Sequence, residues 1–158
     1  MIIMRFSFEK KGIRESKDPR VKRALKALKK KVHAIQVRDL RGRGNKKYIG
    51  GAAYKARLIL LDKKTSKQDQ YETVMHEVGH FKLMEKGNPP LGKKAMQELR
   101  KTKMYQQYKK EGYTSNEIPR EAFARYYAQK KRRYRPAQLR KFEEKYPNLV
   151  KKFKQIAK

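Results

Sequence analysis

Cysteine is absent, which excludes a disulfide framework, a thiolate nucleophile and any sulfur ligand for a metal. Acidic residues are scarce, 15 Asp+Glu against 45 Lys+Arg, for a formal charge of +30. A surface this basic repels itself, attracts polyanions and acidic proteins, and speeds their capture at low salt. No apolar run is long enough to span a membrane. Met1, Ile2, Ile3 and Met4 are followed at once by Arg5, Glu9 and Lys10, too short a stretch for a signal peptide. The expectation is a cytoplasmic protein with no membrane partner, unless lysis or a non-classical route releases it; nothing in the sequence indicates its oligomeric state. Yet 37% of the residues are apolar and fall in periodic runs, so the 158 residues read as one folded domain, 1–158, with a densely basic surface.

The apolar pattern places strands first and helices after. Residues 2–8 read as a strand. Asp18-Pro19 opens a helix, with Val21, Ala24, Leu25, Leu28 and Val32 as its buried stripe and His33 at its close. Residues 34–40 read as a second strand, ended by a basic, glycine-broken loop at 41–47. Residues 57–62 are a buried strand, preceded by the small-residue stretch 48–54, read either as a sheet edge that pairs with substrate or as a Gly-rich turn. Ser66 and Asp69 cap a long helix over about 67–86, which Gly87-Asn88-Pro89-Pro90 stops. A polar helix follows over 93–111, then a loop at 112–116, a helix over about 117–133, and short helices opened by Pro136 and Pro147. The predicted class is α+β, with residues 1–66 supplying a small mixed sheet and one helix and residues 67–158 the helical half.

Histidine, with only three copies, is spent unevenly: two lie in His76-Glu77-Val78-Gly79-His80. Residues four apart on a helix share a face. His76 and His80 are therefore placed to offer nitrogens to one zinc ion, and Glu77, one step round, to act as general base on water at the metal. Gly79 lets a neighbouring element come close. His33, at a helix C-terminus, reads as a solvated or dipole partner rather than a ligand.

Catalytic zinc keeps three protein ligands and an open position. No histidine or aspartate follows His80, which leaves glutamates. Only Glu117 and Glu121 open an apolar helix able to pack on the metal helix. Glu121 adjoins the apolar Ala122-Phe123-Ala124 and is favoured as ligand, with Glu117, one turn earlier, as the alternative or as a carboxylate that orients a histidine.

The pentad, Tyr113 in a loop, Asn116-Glu117-Ile118-Pro119-Arg120-Glu121-Ala122-Phe123-Ala124, and the closing Tyr146-Pro147-Asn148-Leu149-Val150-Lys151-Lys152-Phe153 together resemble the catalytic domain of anthrax lethal factor and its relatives. These are gluzincin endopeptidases, among them the small secreted Pro-Pro endopeptidases. The resemblance covers about residues 71–158 and implies a zincin-like fold and one catalytic zinc held by His76, His80 and Glu121. It further implies Glu77 as general base and Tyr113 as the phenol that steadies the oxyanion. Two departures stand out. Arg125 occupies a position where the family pattern is acidic, which leaves Glu117 or Glu72 to support a histidine, and Tyr113 lies one residue farther from the glutamate than the pattern has it. Tyr105 and Tyr108 therefore remain alternatives to Tyr113. A looser likeness, to intracellular repressor-cleaving metallopeptidases, implies the same site and another substrate.

The leading functional expectation is a zinc-dependent endopeptidase acting on a protein or peptide, acidic or associated with nucleic acid. The alternative is a basic nucleic-acid-binding protein with a structural or degenerate metal site. Lys29-Lys30-Lys31 and Lys130-Lys131-Arg132-Arg133-Tyr134-Arg135 speak for it.

Overall fold

The structure, a computed structural model, describes residues 19–28, 32, 34–38, 50–53, 58–62, 66–132 and 137–158. The expected strand at 2–8, Asp18, the lysines 29–31, His33, the loop 41–47, residues 133–135 and Pro136 lie outside them. The described elements are α1 (Pro19–Lys26), β1 (Ala34–Arg38), β2 (Gly50–Ala53), β3 (Leu58–Asp62), α2 (Lys67–Glu85), α3 (Lys93–Arg100), α4 (Lys103–Lys110), α5 (Glu117–Lys130), α6 (Ala137–Lys145) and α7 (Pro147–Ala157). Helix dominates. The α+β expectation is met in its helical half and only loosely in its sheet. No helix among the described residues is long and apolar enough to cross a membrane.

The three strands are ordered β1-β3-β2, with β1 parallel and β2 antiparallel to the central β3. Ile59, Leu60 and Leu61 are all buried, so both faces of β3 are covered, and its sequence is a continuous apolar run rather than an alternation. The small residues of β2 form an outer strand of this sheet, and β2 packs against α2.

Two helices differ from the sequence pattern. Ala24, Leu28 and Val32 are buried as expected, but α1 ends at Lys26. No acidic residue between Asp18 and Asp39 offsets the cations there, and like charges at i,i+4 oppose extension. The single helix expected over 93–111 is two. Thr102, which is buried, donates to the Leu99 carbonyl at 2.6 Å and accepts from the Tyr105 N–H at 3.0 Å, ending α3 and capping α4 in one residue. Leu99 and Tyr108 face the core, Met96, Met104 and Tyr105 pack partly against it, and Ala95 joins them.

α2 is the axis of the core, in contact with α1, β2 and β3 and also with α5 and α7. Its N-cap is Ser66, whose hydroxyl accepts from the Asp69 N–H at 3.2 Å and donates to the Asp69 carboxylate at 2.9 Å. Val74, Met75, Val78 and Phe81 are buried. The helix stops where Gly87 and Asn88 take positive φ and return N–H groups to the Met84 and Leu83 carbonyls.

α7 is held at both ends by other helices. Glu98 of α3 accepts from the Asn148 and Leu149 N–H groups, at 3.3 and 2.6 Å, and from the Asn148 side chain at 2.8 Å. At the far end, Lys82 of α2 and Lys86, the residue that caps it, donate to the Ala157 and Gln155 carbonyls. Negative charge at the N-terminus and positive at the C-terminus complement the helix dipole.

Candidate metal centre

The site is built on two helices, and Gly79 sets how near they come. A Cβ added at Gly79 would lie 3.0 Å from the Ala124 Cα and 3.2 Å from the Tyr127 Cβ. Any larger residue would hold α5 away from the α2 backbone. That approach brings Glu121, one turn into α5, to the imidazoles one turn apart on α2. His76 Nε2 lies 2.9 Å from Glu121 Oε2, His80 Nε2 lies 3.1 Å from Glu121 Oε1, and the two imidazole nitrogens are 3.2 Å apart. The sequence-derived ligand set of His76, His80 and Glu121 is thus brought together within reach of one ion.

The donor chemistry fits a cation. Bonds of about 2.0–2.1 Å to zinc set neighbouring donors of a tetrahedron roughly 3.3 Å apart, close to the separations just given. When both imidazoles donate to Glu121, each Nε2 carries a proton, and the two N–H groups face each other with no bond to share. A cation in place of those protons satisfies all three side chains at once. Burial alone would raise the Glu121 carboxyl, but hydrogen bonds from His76 and His80 outweigh it and hold it down to about 2. Glu121 is therefore anionic at neutral pH. Nothing in this geometry is specific to zinc among the metals that imidazole and carboxylate suit.

The other expected participants divide. Glu77, next to His76 in the chain, is buried on α2. Glu117 is exposed and stands apart from the imidazoles. Its carboxylate accepts from the Thr114 N–H at 3.4 Å while its own N–H donates to the Thr114 hydroxyl at 3.3 Å, the reciprocal pair of a capping box. Thr114-Ser115-Asn116-Glu117 already carried that signal in the sequence, so Glu117 as ligand or as support for a histidine is corrected. Glu72 pairs with Arg132.

Tyr113 is half-buried and packs edge-on against Tyr108, with ring centroids 5.2 Å apart. The charge of Glu121 reaches the Tyr108 hydroxyl. Burial raises its phenol, the Arg125 charge and a hydrogen bond from Arg125 counter it, and the Glu121 charge adds to the rise. Arg125 follows Glu121 by one turn, and spacing alone makes them neighbours. The link from Arg125 to Tyr108 depends on how α4 packs against α5, and no sequence signal exposes it.

The described part of the basic run, Lys130 to Arg132 at the end of α5, has partners within the molecule. Lys130 donates to Glu143 at 2.8 Å, Lys131 lies 5.4 Å from the centre of the Tyr127 ring, and Arg132 pairs with Glu72. No family model, curated protein or solved structure matches this chain.

Proposed function

We propose that the protein is a zinc-dependent endopeptidase of the gluzincin kind, a zincin-like domain spanning residues 1–158. The observation that carries this reading is the convergence of His76, His80 and Glu121, two nitrogens and one carboxylate, on one point. Three such ligands are the donor set of catalytic rather than closed structural zinc. Bound there, zinc supplies a Lewis acid that makes water nucleophilic at neutral pH and polarises a peptide carbonyl. Glu77 accepts a proton from the attacking water and passes it to the departing amine nitrogen. The small-residue strand β2, beside α2, offers backbone groups to an extended substrate. Oxyanion support falls to the Tyr113–Tyr108 pair. The family resemblance assigns the role to Tyr113, and Tyr108, whose hydroxyl feels the charges of Arg125 and Glu121, is its alternative. The inward ties of Lys130, Lys131 and Arg132 weigh against a nucleic-acid-binding protein built on that run.

The test is metal content with cleavage. Purified protein is expected to carry about one zinc per chain. Glu77→Ala should keep the metal and the fold yet abolish hydrolysis of casein. Wild type and variant equally inert, with tight and salt-steep binding of DNA or RNA, would establish the binding protein instead.

A further inference from the structure

One helical turn beyond Glu121, Arg125 enters the wall of a groove of about 680 Å3 between the α3–α4 junction, α5 and α6. Lys101, Lys103, Arg125, Lys141 and Lys145 line it, and no carboxylate is among its lining residues. Glu143, which accepts from the lining Tyr126 hydroxyl, is also held by Lys130. Lys103, Lys141 and Lys145 are exposed, and none takes part in the ion pairs of the described residues. Lys101 is near enough to Glu98 to act on its carboxylate, and Arg125 neighbours Glu121. The three exposed lysines, by contrast, have no ion pair among the described residues, and an anionic partner relieves their repulsion.

The cations come from three places along one groove, the α3–α4 junction, α5 and α6, an arrangement that suits several carboxylates of one segment. Met104 and Phe142, both half-buried, give the groove an apolar floor between its charges. Single-stranded nucleic acid would need open aromatic faces on which bases stack. Here the rings are occupied. Tyr126 packs on Phe142 and Phe153 at 6.4 and 5.3 Å between centroids, and Tyr146 on Phe142 at 5.1 Å. The Lys145 ammonium covers the Tyr146 ring at 5.6 Å. We propose that this groove binds an acidic peptide segment in which carboxylates flank an apolar side chain. Calling that segment substrate rests on the peptidase reading; its capture by the groove does not. The stripe Glu121, Arg125 and Gln129 on α5 leads from the metal ligand into the groove. A segment seated there extends toward the metal.

The experiment measures binding, so that it stands apart from catalysis. Zinc-loaded full chain carrying Glu77→Gln is titrated by fluorescence anisotropy with a short labelled peptide in which glutamates flank leucine. A twin peptide with glutamine for glutamate and an oligothymidylate are run beside it. The triple variant Lys103→Gln, Lys141→Gln, Lys145→Gln should bind the acidic peptide about tenfold more weakly, a modest loss at each of three exposed contacts. A triple variant of equal charge placed elsewhere, Lys94→Gln, Lys110→Gln, Lys151→Gln, should lose less than about twofold, and the oligonucleotide should weaken equally in both. Equal loss of peptide binding in the two triple variants, or a glutamine twin that binds as well, would overturn the proposal. So would an oligonucleotide that alone distinguishes them. Groove-dependent peptide binding beside a wild type that cleaves nothing would uphold the groove and remove the peptidase.

Discussion

Glu117 and Glu121 sit one turn apart on α5, yet they do different work. Glu117 closes a capping box with Thr114, and Glu121 meets both imidazoles. Glu121→Gln removes the anionic donor and should weaken zinc binding by more than about a hundredfold, beyond the usual effect of losing a supporting residue. Glu117→Gln should leave zinc affinity unchanged and cost a fraction of helix stability. Zinc titration against a competing chelator reads both. The convergence of His76, His80 and Glu121 was legible because histidine is rare, the pentad spacing fits one helix face, and no aspartate or histidine follows His80. The placement of Tyr108 against Arg125 was not legible, since it depends on the packing of two helices whose contact leaves no periodic mark.

At the level of elements, the nearness of α2 and α5 governs the site. Gly79→Ala inserts a methyl 3.0 Å from the Ala124 Cα. Overpacking of this kind costs about 1–3 kcal/mol, partly offset by the better helix propensity of alanine. Thermal melting should fall, and zinc affinity should fall with it because Glu121 rides on the displaced helix. Unchanged affinity would show that the helix spacing does not control the ligands. The bounds of α2 were readable from Ser66, Asp69 and the Gly87–Pro90 stop. The break between α3 and α4 was not, because a buried threonine that caps one helix while bonding the last turn of another looks like an ordinary polar residue within a helix.

The clasp of α3 on α7 is also invisible to local pattern, since Glu98 and Leu149 are far apart in the chain. Burial pushes the Glu98 carboxyl up, but hydrogen bonds from the Leu149 and Asn148 backbone and the Asn148 side chain outweigh it, leaving it below the usual carboxylate range. A folded value below the unfolded one gives stability that is fully present above the ordinary value of 4.5 and is lost as pH falls through the depressed one. Glu98→Ala should cost less than about 1 kcal/mol at neutral pH, the value of a helix cap reduced by solvent screening at a largely exposed carboxylate. The deficit should shrink on acidification until the two proteins melt together. Melting curves across the acid range check this.

For the molecule as a whole, the excess of 45 cations over 15 anions works against the compact state. A metal bound between α2 and α5, as proposed, would offset part of that repulsion. Chelation should lower the melting temperature by roughly 5–10 °C, the effect of losing a ligand present at about a hundred times its dissociation constant. Added salt should narrow the gap to other proteins by screening the surface, without restoring what the metal supplied.

The most direct measurement is X-ray absorption at the zinc edge of the loaded protein. Four light-atom ligands are expected, two of them imidazoles, one a carboxylate oxygen supplied by Glu121, and one an exchangeable water that Glu121→Gln leaves in place. A spectrum with fewer than two imidazoles, or a carboxylate contribution that persists unaltered in Glu121→Gln, would contradict that coordination.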